Sequence, residues 1–546
     1  MRGKTRKILK ITILTLMVYS FFISCNTFEK KDDGASKQDN VNSEQGWKSD
    51  TSPVTFDWYV NYPWFTTKWG TNYVSKYVTE KTGVSLNFIA PSGDGTETLN
   101  AMIDNGKLPD FITLSAWDDN YKTIIKDKLV FPLDQLAEKY DAYFFKVTDK
   151  QKLEWYRQND GYVYCYPNYS LSIKDTSEYK EEKPSNQTFL VRKDIYEAIG
   201  SPDMRTTEGF LNALKKAKEK FPIVDGKPLI TLGLHEFNDT GNLSLDSILP
   251  NFLAIPFEKD GQIYDRITDP EYITWLKTLR KANEFGLLSK EVFVDKRAQM
   301  EEKIAEGRYF AMIYQRSDMS PQQLKIYEAD KNKIYIPVNG PSNNKFDEPR
   351  LPSDSISGWT VTLVSKSCKD PKRAIRFLSY LISEEGNRDL YLGKKGFSWE
   401  EVDGKEQFKQ DIAYLLNNDR KTFYEKYGGT ENYWMLMDSN YIDKWISTEP
   451  EPLRLLKDWT KGKTYNFSVY DQITPYGDTE EAVAYSQISF KWQNTLKSLL
   501  IANNDNEFDD IFNEFLNYRK NHGYEKIQAY KQKKFEENKK KLNINK

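Results

Sequence analysis

The chain has 546 residues, with 78 Lys and Arg against 80 Asp and Glu, two His, three Cys and a 14% aromatic share. Near-balanced charge leaves no basic field for nucleic acid. So few cysteines exclude a disulfide-stapled scaffold, and the length calls for two or three domains rather than one core.

Arg2, Lys4, Arg6, Lys7 and Lys10 precede an apolar stretch at 11–23, the pattern of an export signal. The stretch is shorter than the roughly 20 residues of a membrane-spanning helix, so 1–24 reads as a cleaved signal peptide. It ends in Phe22-Ile23-Ser24-Cys25, which resembles the lipobox of bacterial lipoproteins. That resemblance implies a diacylglyceryl anchor on Cys25, and two or more acyl chains hold stably, each buried CH₂ contributing about 0.8 kcal/mol. Residues 25–52 are polar and almost free of aliphatic side chains, as expected of a solvated tether. Removing the five signal cations makes the remaining chain more acidic.

A strand-like run at 55–61 leads into a helical pattern ending at Gly83, then a strand at 84–90, a helix at 96–105 stopped by Gly106, and a strand at 110–115. Strands alternating with helices at this spacing predict a parallel sheet. A helix follows at 129–140, entered through Pro132. Short apolar strands at 161–167 and 188–192 flank a lysine-rich loop at 174–183, a pattern that suits a crossing between lobes. A second α/β unit then begins: a helix at Lys193, another capped at Thr206, and a strand at 228–234. Helical patterns at 269–285 and 289–306 lead to strands at 309–314 and 333–337. After a Pro/Asn-rich loop at 339–352, the strand at 359–365 reads as the return crossing. From 370 onward apolar residues recur at helical spacing, including 496–501 and 508–518, and the lysine-rich end, 531–546, is expected to fray.

Signatures of catalysis are missing. His235 and His522 sit in no His-Glu-x-x-His or metal-spaced cluster, and neither a Gly-x-Ser-x-Gly elbow nor a phosphate-binding lysine loop occurs. Glu400-Glu401 reads as a solvated turn rather than a glycosidase pair, Gly93-Asp-Gly95 as a helix-entry turn, and the acids at 505, 507 and 509 as a helix N-terminus rather than a calcium loop. Whether Cys165 and Cys368 pair is open at this level.

The aromatics are more informative. Sugars present C–H faces rimmed by hydroxyls, complemented by flat rings with amide, carboxylate and guanidinium groups. In open α/β sheets ligands bind beyond the carboxyl ends of the strands. Asn61 and Trp64 follow the first strand, Trp117, Asp118 and Asp119 the third, Phe237 and Asn238 a strand of the second unit, and Arg316 another, while Trp359 sits at the return crossing. These nine are the candidate ligand-binding residues. Arg316 could fork onto a carboxylate or a diol, or pair with a local acid. Most of the 35 Tyr are expected to be fillers.

Together with the lipobox at Cys25, several segments resemble one family in their order and spacing. They are Leu108-Pro-Asp110, Phe189-Leu-Val-Arg192-Lys193-Asp194, Thr206-Thr-Glu208, the stretch 365–374 leading into 377–381, and 509–530. The family is that of the large family 1 extracellular solute-binding lipoproteins of Gram-positive ABC sugar importers. The resemblance implies an α/β, two-lobed, periplasmic-binding-protein-like clamp with hinge crossings and a helix-rich C-terminal part. Lobe 1 would comprise 53–185 with part of about 366–440, lobe 2 186–357, and 358–546 would hold the return crossing and a helical segment shared between lobes. It further implies an oligosaccharide ligand, an ABC permease with a separate ATPase as partners, a lipid-anchored site on the outer face of the cell membrane, a monomer, no nucleic acid, no cofactor and no catalysis. The stretch 221–228 lacks the Asp and Asn ligands of the calcium loop found in some relatives, which implies no structural metal. The few cationic clusters near the crevice tilt toward a neutral sugar. The alternatives are a surface-anchored carbohydrate-active enzyme and a sugar-sensing lipoprotein partnered with a membrane kinase.

Overall fold

The computed structural model describes residues 45–93, 95–173, 183–239, 241–446, 449–477 and 479–544. The signal peptide, Cys25, most of the tether and nearly all of the loop at 174–183 lie outside the described residues.

Two larger sheets are built from nine strands: β1 (Val54–Val60), β2 (Val84–Ile89), β3 (Phe111–Ser115), β4 (Cys165–Pro167), β5 (Gln187–Arg192), β6 (Ile230–Gly233), β7 (Tyr309–Gln315), β8 (Tyr335–Pro337) and β9 (Thr360–Val364). The first sheet runs β2-β1-β3-β9-β4 and the second β8-β5-β7-β6. β1 is parallel to β2 and β3, as the alternation of strands and helices predicts. β9 lies antiparallel between β3 and β4, because the chain comes back from the second lobe at the edge where β3 ends and must run the other way.

The strands that lie inside the sheets are apolar on both faces. Every residue of β5 and β9 is buried, as expected for strands covered by helices on both sides. Two of the polar exceptions, Thr113 and Thr362, are paired with each other. The Trp58 indole N–H donates to Thr113 Oγ1 at 2.8 Å, and Thr113 and Thr362 share a hydrogen bond of 2.7 Å, which stitches β1, β3 and β9 together inside the core. Each sheet has its own buried cluster, one around Phe56, Trp58, Phe111 and Leu363, the other around Phe189, Trp275, Phe310 and Leu496.

Helices begin where polar caps permit. Asn72 Oδ1 accepts from Ser75 N at the start of α1 (Tyr73–Thr82), which Gly83 closes at φ 73°; a side chain is strongly disfavoured in that left-handed conformation. Asp118 caps α2 (Asp119–Lys126) and Asp370 caps α3 (Pro371–Ile382). The C-terminal part holds α4 (Glu480–Ile501), α5 (Asp505–Asn521) and α6 (Tyr524–Lys541). Asn504 caps α5, and the acids read as a helix N-terminus are its first turns, with Asp505 and Asp509 paired to Arg280 and Lys277. Cys165 and Cys368 are both unpaired and buried. Among the described residues no helix is long and apolar enough to cross a membrane.

The lysine-rich end does not fray as expected. Ile527 packs in the core of the second lobe, Leu542 in that of the first, and between them the buried Phe535 lies face to face with Tyr470, rings 5.3 Å apart and 4° from parallel. Lysines spaced among these apolar residues mask the signal, since their stems lie along the surface while the ammonium groups stay in water. Asn538 donates to the carbonyls of Val469 and Asp471, and the Asp471 carboxylate accepts from Ser357 Oγ at 2.6 Å. α6 is thus tied to the return crossing.

Ending the chain at Gly523 should therefore cost at least about 4 kcal/mol, from three apolar side chains at about 1.5 kcal/mol or more each, measured as a lower urea midpoint. A second outcome concerns Asp471, whose carboxyl is pushed up to about 6 by burial against hydrogen bonds from Ser355 and Ser357. Its folded pKa exceeds the unfolded one, so its contribution is fully present below about pH 4 and is lost as pH rises through about 6. Relative to Asp471→Asn, wild type should lose on the order of 2 kcal/mol of stability between pH 4 and 7; parallel profiles would place that titration elsewhere.

Candidate ligand-binding crevice

At one edge of the first sheet the carboxyl ends of β3 and β4 meet the start of β9: Thr360 pairs with Ser115 and Val361 with Pro167. β1 ends at the same edge and delivers Tyr62 and Trp64, while β9 is entered from Trp359. Trp64 and Trp359 lie 8° from parallel with centroids 6.0 Å apart, Trp359 stacks on Trp434 at 4.6 Å, and Tyr62 touches all three rings. Trp434 is 6% exposed and Trp64 48%, so Trp434 backs the cluster while Trp64 offers a ring face to solvent. Such a face suits the C–H side of a sugar ring.

The other predicted residues divide into groups. Asn61 Nδ2 donates to Asp118 Oδ2 at 3.0 Å, Tyr59 O–H donates to Asn61 Oδ1, and Asp118 Oδ1 accepts from Asn120 N. These two side chains brace the ends of β1 and β3 against the first turn of α2. Asp119 is exposed in that turn. Trp117 is 50% exposed and, among the described residues, makes none of the ring contacts of the tryptophan cluster.

From the second lobe, Phe237 does not reach the edge. It is 3% exposed and stacks on Phe293, because the short strand pair after β6 folds it inward. Asn238 is exposed and its Oδ1 accepts from Gly241 N, closing that turn. Arg316 directly follows β7. Its backbone N–H donates to Asn186 O at 2.7 Å and its Nε to Ser185 O at 2.8 Å, so the chain leaving the first lobe aims the guanidinium. No carboxylate among the described residues lies within ion-pair distance of it, and the local salt bridge held open by the sequence is not formed. Burial lowers its pKa, opposed by Glu449, Asp354 and Glu431. Nearby, the His235 ring stacks on Tyr314 at 4.0 Å and shares a 2.9 Å hydrogen bond with Ser244.

Sequence reasoning missed Tyr62, Tyr169, Glu431 and Trp434. Tyr169 follows β4 with φ 45°, Thr430 has φ 57°, and the Tyr169 hydroxyl donates to Glu431 Oε1 at 3.1 Å. Glu431 is open to solvent, yet the protein around it raises its carboxyl pKa, with Tyr169, Arg420 and Arg316 working against burial and Glu449 with it. Only Gly428-Gly429 hinted at an unusual turn here. Among the described residues no group of three or more His, Cys, Asp or Glu is placed to hold a metal ion.

The first lobe thus presents stacked rings at the end of its sheet and the second a guanidinium just after β7, groups whose chemistry complements a flat, hydroxylated solute. Lipoprotein LipO of Bacillus subtilis (strain 168) is 25% identical over 261 residues, 46% of this chain and 50% of LipO, so the match spans half of that relative's length. The polygalacturonan/rhamnogalacturonan-binding protein YtcQ of the same organism is 21% identical over 453 residues, 78% of this chain and 84% of YtcQ. The structure of the alginate-binding protein AlgQ2 without calcium ion shares the fold at a TM-score of 0.63 and 18% identity, over 89% of this chain and 98% of that one. The shared fold is the two-lobed, periplasmic-binding-protein-like α/β architecture expected from the sequence. With residues 66–388 matched by the model of the bacterial extracellular solute-binding proteins, more than half of the sequence carries the family's pattern, and the chain belongs to that family.

Proposed function

We propose that this protein is a lipid-anchored receptor on the outer face of the cell membrane that captures an oligosaccharide between its lobes and delivers it to an ABC permease powered by a separate ATPase. The observation that carries the sugar reading is the near-parallel pair Trp64 and Trp359 at the crevice edge, backed by Trp434. Rings held this way are ordered before the ligand arrives, which reduces the entropy lost on binding. The names of YtcQ and AlgQ2, both polysaccharide binders, support the same class.

Capture involves no bond making or breaking. The ligand stacks on the first lobe, Arg316 and the second lobe close over it, and the crossings absorb the backbone change while each lobe moves as a body. Ligand binding shifts the open–closed equilibrium only by its differential affinity for the two states, so the closed clamp is the form the permease would read. The acyl chains on Cys25 and the polar tether of residues 25–52 keep the receptor near that permease and raise its effective concentration there. LipO is itself named a lipoprotein.

A thermal-shift and calorimetry panel of oligosaccharides tests the central claim. At least one should stabilise the protein, and Trp64→Ala should weaken that ligand about tenfold or more, the loss of one aromatic face, with little change in melting temperature because Trp64 is half exposed. Stabilisation by peptides and by no sugar would overturn the substrate class, and release of product would overturn the binding role. Separately, Cys25→Ala should release the protein into the medium, or leave it embedded through an uncut signal, with sugar affinity unchanged; a fall in affinity would contradict the separation of anchor from binding body.

A further inference from the structure

Resting on the oligosaccharide reading, we infer that His235 is a positioning residue for the crevice: through Asp318 it holds the turn that carries Arg316, so that protonation of its imidazole tightens sugar binding.

The hydrogen bonds around Ser244 fix the proton on one side of the ring. Ser244 Oγ lies 2.6 Å from Ile313 O, a separation at which two oxygens share a proton, so the hydroxyl donates there. The same oxygen accepts from His235 N at 2.8 Å and lies 2.9 Å from His235 Nδ1. A hydroxyl has one proton to give, and Ile313 receives it, so Nδ1 is the donor of the second contact. The other ring nitrogen, Nε2, is buried without a hydrogen-bond partner among the described residues and faces Asp318 Oδ2 at 3.5 Å. In a neutral ring it would set a lone pair against a carboxylate. A second proton turns that contact into an ion pair, which burial strengthens, and the Tyr314 ring stacked on the imidazole at 4.0 Å offers its face to the cation.

Asp318 lies where such a pair matters. β6 and β7 run parallel, so His235 and Arg316, which follow them, leave the sheet at the same edge. Arg316 opens the short turn Ser317–Met319, whose far end is pinned by the buried Met319. The Arg316 backbone and Nε hold Asn186 and Ser185 of the segment arriving from the first lobe. Inside the turn, Asp318 is held loosely from its other side: Arg297 Nη2 lies 3.4 Å from Oδ1, while Arg297 Nε donates to Glu301 at 2.8 Å. Burial raises the Asp318 carboxyl, yet His235 and Arg297 outweigh it and keep it below the usual carboxylate range. Of two further acids on these elements, Glu236 acts on Tyr314 and Asp246 accepts from Trp492 and Tyr272. With His235 charged, Asp318 is gripped from both sides and the turn presents a guanidinium ordered before the sugar arrives, so less freedom is lost on binding. Coupling of this kind is reciprocal: the sugar raises proton binding at His235 by the factor by which the proton raises sugar binding.

The test uses the full chain with kestose, a mannose trisaccharide, trigalacturonate and an alginate trimer, the tightest binder at pH 7 being carried forward. Calorimetry should show it binding about fivefold or more tightly at pH 5.5 than at pH 8, the lower end of ordinary coupling between sites. The chain has two histidines, so their imidazole resonances are separable, with His522→Gln assigning each. Saturation with that sugar should move the His235 titration upward by about 0.7 pH unit, the same factor on a logarithmic scale, and leave His522 in place. His235→Asn, which keeps a donor for Ser244 and is too short for Asp318, and Asp318→Asn should both show the weaker affinity of pH 8 at either pH, their melting temperatures at pH 8 reporting the fold. A His235 titration indifferent to the sugar, or a pH dependence that survives in His235→Asn, would overturn the inference and leave the oligosaccharide reading intact; if that variant does not fold, the wild-type resonance decides. Binding of peptides and of no glycan would overturn both.

Discussion

The architecture depends on one strand. β9 returns from the second lobe and enters the first sheet antiparallel, between β3 and β4, with all five of its residues buried. A strand in that position must satisfy its ladder on both sides and bury both faces, and it does so through Val361, Leu363 and Val364 and the shared Thr113–Thr362 hydrogen bond. Because β9 is entered at the edge where β1, β3 and β4 end, Trp359 arrives at that edge along with Tyr62 and Trp64. The same insertion that completes the core therefore assembles the ring platform.

The crossings between lobes inherit their constraints from this strand. The segment leading to it contains Ser357, whose carbonyl accepts from the Tyr156 hydroxyl and whose own hydroxyl donates to Asp471. Asp471 belongs to the stretch held by Asn538 of α6, and α6 itself places Ile527 in one core and Leu542 in the other. The C-terminal helix is consequently a brace across the molecule, so the lobes can move only in ways this helix permits. The carboxyl groups of Asp471 and Asp246, both pushed up to about 6 by burial, favour the folded state near the brace and in the second core in mild acid, and that contribution is lost as pH rises through about 6.

Order at the crevice is set before a ligand is present. Asn61 and Asp118 lock the ends of two strands, Ser185 and Asn186 aim Arg316, and the Tyr169 hydroxyl donates to Glu431 Oε1. Rigid groups of this sort lose little freedom on binding. In the proposed clamp the crossings would absorb the backbone change on capture, the division of labour expected of a hinged clamp.

By itself the sequence determined the alternation of strands and helices, the two-lobed class, the export signal pattern and the ends of β1, β3 and β9 as places to look. These follow from local periodicity, turn residues and composition, which act over a few neighbouring positions. It also carried Trp64, Trp359 and Arg316 to the correct edges of their sheets, because a residue that follows a strand must emerge at that strand's end. It could not tell that Phe237 turns inward while Trp64 turns outward, since both follow strands and differ only in what packs over them. Nor could it reveal Glu431, Tyr169 and Trp434, which come from segments more than 260 residues apart and meet only because β9 lies beside β4. The fate of the lysine-rich end was decided in the same way. Its apolar positions at 527, 535 and 542 acquire meaning only when two separate cores are brought within the length of one helix.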